Sequence, residues 1–491
     1  MADGQMNKTD KGRRRFLGNM AGASLAASPL GMLLSMRSAM AADDYSNLSD
    51  YKALVCVFLH GGNDAINMLV PGSPSAHAAY ANLRGGLTIA RNSLLPLDGI
   101  DHGLNPNMPN LQNYFNQGKL AFVANVGNLI EPVSKQQYLD WEQNGGSNIK
   151  LPPELFSHSD QSYFWQTSYA PNTVGAGVAS GWGGRMADLM AASNGNPYVP
   201  ITITLDGHSP WETAVATSQL GLNYWDGVSG FEGLEKRDWP RWVNDRAATW
   251  EQLLALSGNS QHALEKQIVE ATQRTRSRVS EVKAALKRTW DEPNDKDIFQ
   301  TPPYEWDDPD PNNEPPEQLV MLASQLRMVA RMIYNHTDFG QKRQIFAVSL
   351  GGWDTHGSQA QDHPTLLAAL DGALDSFYKT LVEMGLEQQV TTCTSSEFGR
   401  TLGSNGDGTD HGWGTHLMVL GDAVAGKQVY GDLPVIELDS DDDIGNALLP
   451  KLATEQYGAT LARWFGVTNA DLDLIFPNLG NFSSRNIGFM G

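Results

Sequence analysis

Three apolar runs in this chain end in groups that bind metals or move protons. Residues 345–350 open into Gly351-Gly352-Trp353-Asp354-Thr355-His356. Residues 54–59 open into His60-Gly61-Gly62-Asn63-Asp64. Residues 390–395 lead to Glu397-Phe398-Gly399-Arg400 and a glycine-rich loop carrying Asp410-His411-Gly412-Trp413-Gly414-Thr415-His416. Mixed carboxylate and imidazole groups suit zinc, manganese or iron(II) better than magnesium or calcium. The ligand candidates are Asp64, Asp354, His356, Glu397, His411 and His416. That set exceeds one tetrahedral site with an open position. It fits two divalent ions, zinc or manganese, about 3.5–4 Å apart across an in-line displacement. Arg400, three residues after Glu397, offers a rigid fork of donors for a tetrahedral anion. His60 is a candidate ligand, acid or supporting group. Ser157-His158-Ser159-Asp160 has the form of a capping box. Ser157 is therefore either an ordinary N-cap or a nucleophile at a helix start, where free amides favour anions.

Such residues need a scaffold that brings distant loops together. The apolar runs have the length and continuity of strands covered on both faces. Strands are also expected over residues 120–126, 198–205 and 417–420. Helical spacing of apolar residues marks 109–117, 181–190, 318–336, 366–384 and 455–465. Strand alternating with helix predicts an α/β fold, a doubly wound and mostly parallel sheet with helices on both faces. In such sheets ligands bind beyond the carboxyl ends of the strands. Residues 207–319 break this rhythm and read as an inserted helical segment, ending in an acidic, proline-rich loop that is expected to be solvated. Cys56 and Cys393 both lie in apolar runs and read as buried small hydrophobes, with a disulfide as the alternative.

The first 41 residues read as an export signal. Arg13-Arg14-Arg15-Phe16-Leu17 has the twin-arginine form, and Ala39-Met40-Ala41 fits an A-x-A cleavage site. The charge-free stretch between them is too rich in Gly, Ala and Ser for a stable membrane span. The reading is a periplasmic or secreted protein, with the twin-arginine translocase as a partner during export and residues 42–491 as one domain. Six of the 35 Lys and Arg residues and two of the 55 acids fall in the signal, which leaves 29 against 53. Such a surface repels nucleic acid and anionic lipid. A small anionic ester as substrate would have to be held by local cations or metal.

In chain order, HGGNDAINMLVP, SHSDQ with Trp165 after it, GWGGR at 181–185, GGWDTHGSQ, SEFGRT and DHGWGTH resemble the exported family known as domain of unknown function 1501. That family is placed in the alkaline phosphatase superfamily, beside sulfatases and cofactor-independent phosphoglycerate mutases. The resemblance implies an alkaline phosphatase-like sandwich and a two-metal hydrolase of phosphate or sulfate esters. Asp64 matches the acid after the first strand, Ser157 the nucleophile, Asp354 and His356 the middle pair, and His411 the late imidazole. Glu397-Phe398 stands where the superfamily has Asp-His, a departure that touches the second metal. The alternative is a non-catalytic relative acting in binding or assembly at the cell envelope.

Overall fold

The computed structural model describes residues 45–144, 149–169, 180–196, 198–207, 209–225, 227–228, 241–291, 296–305 and 314–491. The expected export signal, residues 1–41, lies outside the described residues, as does part of the acidic, proline-rich stretch.

A nine-stranded mixed sheet forms the centre. Its strands are β1 (Lys52–Leu59), β2 (Leu120–Gly127), β3 (Thr202–Thr204), β4 (Leu220–Gly221), β5 (Arg343–Leu350), β6 (Val390–Ser395), β7 (Thr415–Leu420), β8 (Val429–Tyr430) and β9 (Leu452–Ala453). The spatial order is β8-β2-β7-β6-β1-β5-β3-β4, with β9 also on β2. Strand β1 pairs in parallel with β5 and β6, and β5 with β3. Strand β7 runs antiparallel to both β6 and β2. The α/β class expected from the sequence is the one observed. Strand β3 is shorter than the 198–205 expected, with its pairing to β5 limited to Thr202–Thr204.

Alternation along the strands divides the core in two, because successive side chains face opposite sides of a sheet. Val55, Val57 and Leu59 join Phe346 and Val348 under one helical layer. That layer contains α2 (Pro109–Asn116), α6 (Ala263–Arg288), α7 (Glu317–Tyr334) and α8 (Gln359–Met384). Leu54, Cys56 and Phe58 face the other layer. There lie α3 (His158–Thr167), α4 (Trp182–Met190) and α9 (Thr454–Phe465). Each fully buried Val, Leu or Phe contributes roughly 1.5–3 kcal/mol, so the central strands hold the frame rigid. Cys56 and Cys393 are register partners on β1 and β6, both buried free thiols.

Helix α8 begins at Gln359, seven residues before the apolar pattern at Leu366. Pro364 lies inside it and removes one backbone hydrogen bond there. The inserted segment contains a helical hairpin, α5 (Arg241–Gly258) and α6. Helix α6 is anchored to the main core through Val279, Val282 and Ala285. No helix among the described residues is long and apolar enough to cross a membrane.

Candidate metal centre

The carboxyl ends of β1, β5 and β6 are adjacent, and each chain segment turns immediately beyond its strand. Gly61 makes the first turn with φ +121°, and a Cβ there would overlap the Asp354 backbone nitrogen. This close approach lets the loops after β1 and β5 lie flat against each other. The Gly61 N–H donates to Glu397 Oε1 at 2.9 Å, which ties in the loop after β6. Beyond Glu397 the chain doubles back, with an isolated bridge between Arg400 and His411. Thr409 N–H donates to Thr355 O at 3.1 Å and pins this loop to the Asp354 loop.

These turns converge on one oxygen. Asp354 Oδ1 lies 3.1 Å from His356 Nε2, 3.3 Å from His411 Nε2 and 3.4 Å from His158 Nε2. His158, Asp354 and His411 each offer a ligand atom within 4.8 Å of the others. His356 Nε2 lies 2.9 Å from His411 Nε2. Phe398 packs against the rings of both His158 and His411, at centroid distances of 4.8 and 4.7 Å.

The far nitrogen of each imidazole has its own partner. His158 Nδ1 lies 2.8 Å from Glu397 Oε1. His356 Nδ1 lies 3.0 Å from Asp410 Oδ1, and His411 Nδ1 2.6 Å from the Phe156 carbonyl. All three partners only accept, so each Nδ1 carries the proton and each Nε2 presents a lone pair to the common point. Two Nε2 lone pairs facing each other at 2.9 Å repel unless a cation or proton lies between them. His158 Nε2 is buried with no hydrogen-bond partner among the described residues. Its 3.4 Å approach to Asp354 has the distance of an ion pair without hydrogen-bond geometry. The donor set therefore fits a divalent ion, with imidazoles oriented from behind as metal-binding histidines usually are. Nitrogen and oxygen donors of this kind suit zinc, manganese or iron(II). The Asp354 side chain is 47% exposed and that of His356 44%, so the cluster opens to solvent on one side.

The electrostatics follow the contacts. Glu397 raises the His158 imidazole above its usual range, against the opposing effect of burial. Burial lowers that of His411. Burial alone would raise the Asp354 carboxyl, but Arg400 and the neighbouring imidazoles hold it below the usual carboxylate range.

A family model described as "Protein of unknown function (DUF1501)" matches residues 51–469. The chain belongs to this family. Compared with the curated proteins, the DUF1501 chain has no match. Among solved structures it is similar to Ps i-CgsB in complex with k-i-k-neocarrahexaose, at 10% identity and a TM-score of 0.35, over 89% of this chain and 78% of that one. It is also similar to the PsFucS1 sulfatase from Pseudoalteromonas sp., at 11% identity and a TM-score of 0.34, over 90% of this chain and 72% of that one.

In this DUF1501 protein the residues singled out from the sequence fall into two groups. Asp354, His356 and His411 come together, with Glu397 behind them on His158. Asp64 does not join them. It is fully buried, and its Oδ2 accepts from Arg84 Nη1 at 2.6 Å and Gln359 Nε2 at 2.5 Å. An internal guanidinium thus occupies the place expected for a cation. His416 is buried on β7, where its Nδ1 accepts from Asn125 N–H at 3.0 Å and burial pushes its imidazole down to about 4. Arg400 does not present a free fork. Its Nε donates to Gly62 O, Nη1 to Thr409 O, and Nη2 to Gly61 O, Trp353 O and Asp354 Oδ1. Its role in this geometry is to clamp the turns that carry Asp354.

Ser157 is the N-cap of α3, accepting from Asp160 N–H at 3.4 Å and donating to Asp160 Oδ2 at 2.6 Å. His60 turns toward β3, with its Nε2 3.1 Å from Asp206 Oδ2. Asp206 in turn accepts from the Ser349 hydroxyl. Burial lowers the His60 imidazole, but Asp206 and Glu397 outweigh it and leave it raised. His158 is the residue that sequence reading missed. The pattern around it was absorbed by its serine neighbours, although a histidine at the first helical position behind a capping serine was itself a usable signal.

Proposed function

We propose that this chain is an exported metal-dependent hydrolase of small anionic esters, phosphate or sulfate, built on one metal centre rather than two. The observation that carries the reading is the convergence of three imidazole Nε2 atoms on Asp354 Oδ1, each with its Nδ1 anchored behind it. His158, Asp354 and His411 would hold the ion, with His356 as the fourth donor. An ion there would act as a Lewis acid on a substrate oxygen and make water nucleophilic at neutral pH. The ester class comes from the motif resemblance to phosphatases and sulfatases.

The protein's own groups divide the remaining work. Glu397, Asp410 and the Phe156 carbonyl fix the imidazole tautomers. Phe398 holds two of the rings and excludes water from one side. Because the Ser157 hydroxyl is committed to its cap, water is the nucleophile in this reading. Hydrolysis forms one bond from the water oxygen to phosphorus or sulfur and breaks the bond to the ester oxygen. The water proton leaves to solvent, and the departing ester oxygen takes a proton from solvent on the open side of the cluster, since His60 is turned away toward Asp206. Export by the twin-arginine translocase to the periplasm or beyond belongs to the same proposal, on the Arg14-Arg15-Phe16-Leu17 motif.

A second reading, a binding or assembly component of the envelope, is favoured by one surface. Leu253, Leu256, Leu264 and Ile268 are 52–71% exposed near the tip of the α5–α6 hairpin. Elemental mass spectrometry on protein exported from its host, followed by a screen of p-nitrophenyl phosphate and sulfate, separates the two. About one equivalent of metal with ester cleavage, both lost in Asp354→Ala, supports the hydrolase. Well-folded protein that takes up no metal in its host refutes it.

A further inference from the structure

The opposite edge of the sheet carries a cleft with the wrong charge for this protein. It lies between α6 and the segment entering β3, and its volume is about 470 Å³. Pro200 and Ile201 line it immediately before β3, which places it at the amino ends of the parallel strands, away from the metal centre. Its polar lining consists of Asn194, Asn196, Thr217, Ser218, Arg274 and Arg278. Among the described residues no carboxylate lines it, although acids outnumber Lys and Arg by 55 to 35 in the whole chain.

The two arginines stand four residues apart on α6 and so share one face of the helix. Arg276, between them, is turned elsewhere and pairs with Glu251 at 2.8 Å. Arg278 is fixed in place: its Nε donates to Tyr198 O at 2.6 Å and its Nη2 to Ser218 Oγ at 2.9 Å. Arg274 has no hydrogen-bond or ion-pair partner among the described residues. Glu281, the acid beside the cleft, accepts instead from Asn196 Nδ2 at 2.5 Å. Burial lowers the Arg278 guanidinium below its usual range, and the charge of Arg274 lowers it further. Two like charges thus face one cavity with no carboxylate among the described residues lining it. A cavity of this size lies within the range of small-molecule sites. A planar guanidinium pair is the side-chain arrangement best suited to a carboxylate, sulfate or phosphate.

We propose that this cleft binds a small organic anion, its charged group held between Arg274 and Arg278 and its body lying along the Pro200–Ile201 wall. The site is separate from the metal centre and does not depend on the hydrolase reading.

The test is calorimetric titration of the full protein at low ionic strength with glucuronate, glucose 6-sulfate, glucose 6-phosphate and neutral glucose. The expected result is saturable binding of at least one anion and none of glucose, and the anion that binds names the class. Arg274→Gln is the decisive variant, because Arg274 is exposed and has no hydrogen-bond or ion-pair partner among the described residues, so its loss should leave the fold alone. It should weaken binding about tenfold or more, the usual cost of losing a charged hydrogen-bonding partner. Asp354→Ala should bind as the wild type does. Absence of binding by every anion overturns the proposal. So does binding unchanged in Arg274→Gln, or binding that Asp354→Ala abolishes.

Discussion

Arg84→Met is the substitution that most directly separates an internal cation from a metal at Asp64. Arg84 ends α1 (Pro74–Arg84) and is fully buried with its partner. Its Nη1 lies 2.6 Å from Asp64 Oδ2, and the same oxygen takes a hydrogen bond from Gln359. Gln359 is held from behind by Thr409 Oγ1 at 2.7 Å. Methionine keeps the unbranched stem and removes the charge, which leaves a buried carboxylate with one neutral donor. Breaking a buried pair in this way costs about 3–5 kcal/mol. For a domain of about 450 residues, unfolding entropy scales to about 0.9 kcal/mol/K, so the melting temperature should fall by about 3–6 °C. Asp64→Asn should cost a similar amount by stranding Arg84. The double variant, a neutral pair of similar volume, should recover most of the loss. Thermal unfolding of the four proteins gives the coupling, and elemental analysis of each gives the metal. Asp64→Asn should keep its metal, whereas Asp354→Ala should lose it. Additive losses in the double variant, or metal lost with Asp64→Asn, would refute the reasoning.

Three further outcomes follow from the geometry. Glu397→Gln keeps an acceptor for His158 Nδ1 but removes the charge, and should weaken metal affinity about 10–100-fold by competition titration, with the fold intact. Ser157→Ala should cost about 1 kcal/mol in stability as the loss of an N-cap, while leaving metal content and any ester hydrolysis unchanged; loss of turnover with metal retained would restore a covalent route. The His60 imidazole should titrate above the usual histidine range by NMR. In Asp206→Asn it should fall, because the burial remains and the larger of the two opposing charges is gone, with only Glu397 left to raise it. A raised folded-state value means the His60–Asp206 pair contributes fully just below the unfolded histidine value of about 6.5, and the contribution is lost as pH rises through the folded-state value. Asp206→Asn should therefore destabilise more in acid than in alkali, and a pH-independent effect would exclude the pair.

The composition and order of the apolar runs determined much of this protein. A strand buried on both faces must be apolar almost throughout, so β1, β5 and β6 were legible as central strands. Their carboxyl ends were legible as the place where Asp354, His356, Glu397 and His411 would gather. Glycines at 61, 62, 351 and 352 announced turns tight enough for neighbouring loops to touch. What tertiary structure alone decided is which group each charge faces. Asp64 looked equivalent to Asp354 as an acid after a glycine turn. One is sealed against Arg84, 20 residues on, and the other is open among three imidazoles. His158 entered the centre because α3 starts beside Glu397, a contact across 239 positions that no local pattern encodes. Arg400 is spent on carbonyls supplied by three separate loops. Patterning reports the periodicity and burial of each element by itself. The partner of a charge depends on strand order and on loops that meet only once the sheet has formed, so that information first exists in the folded chain.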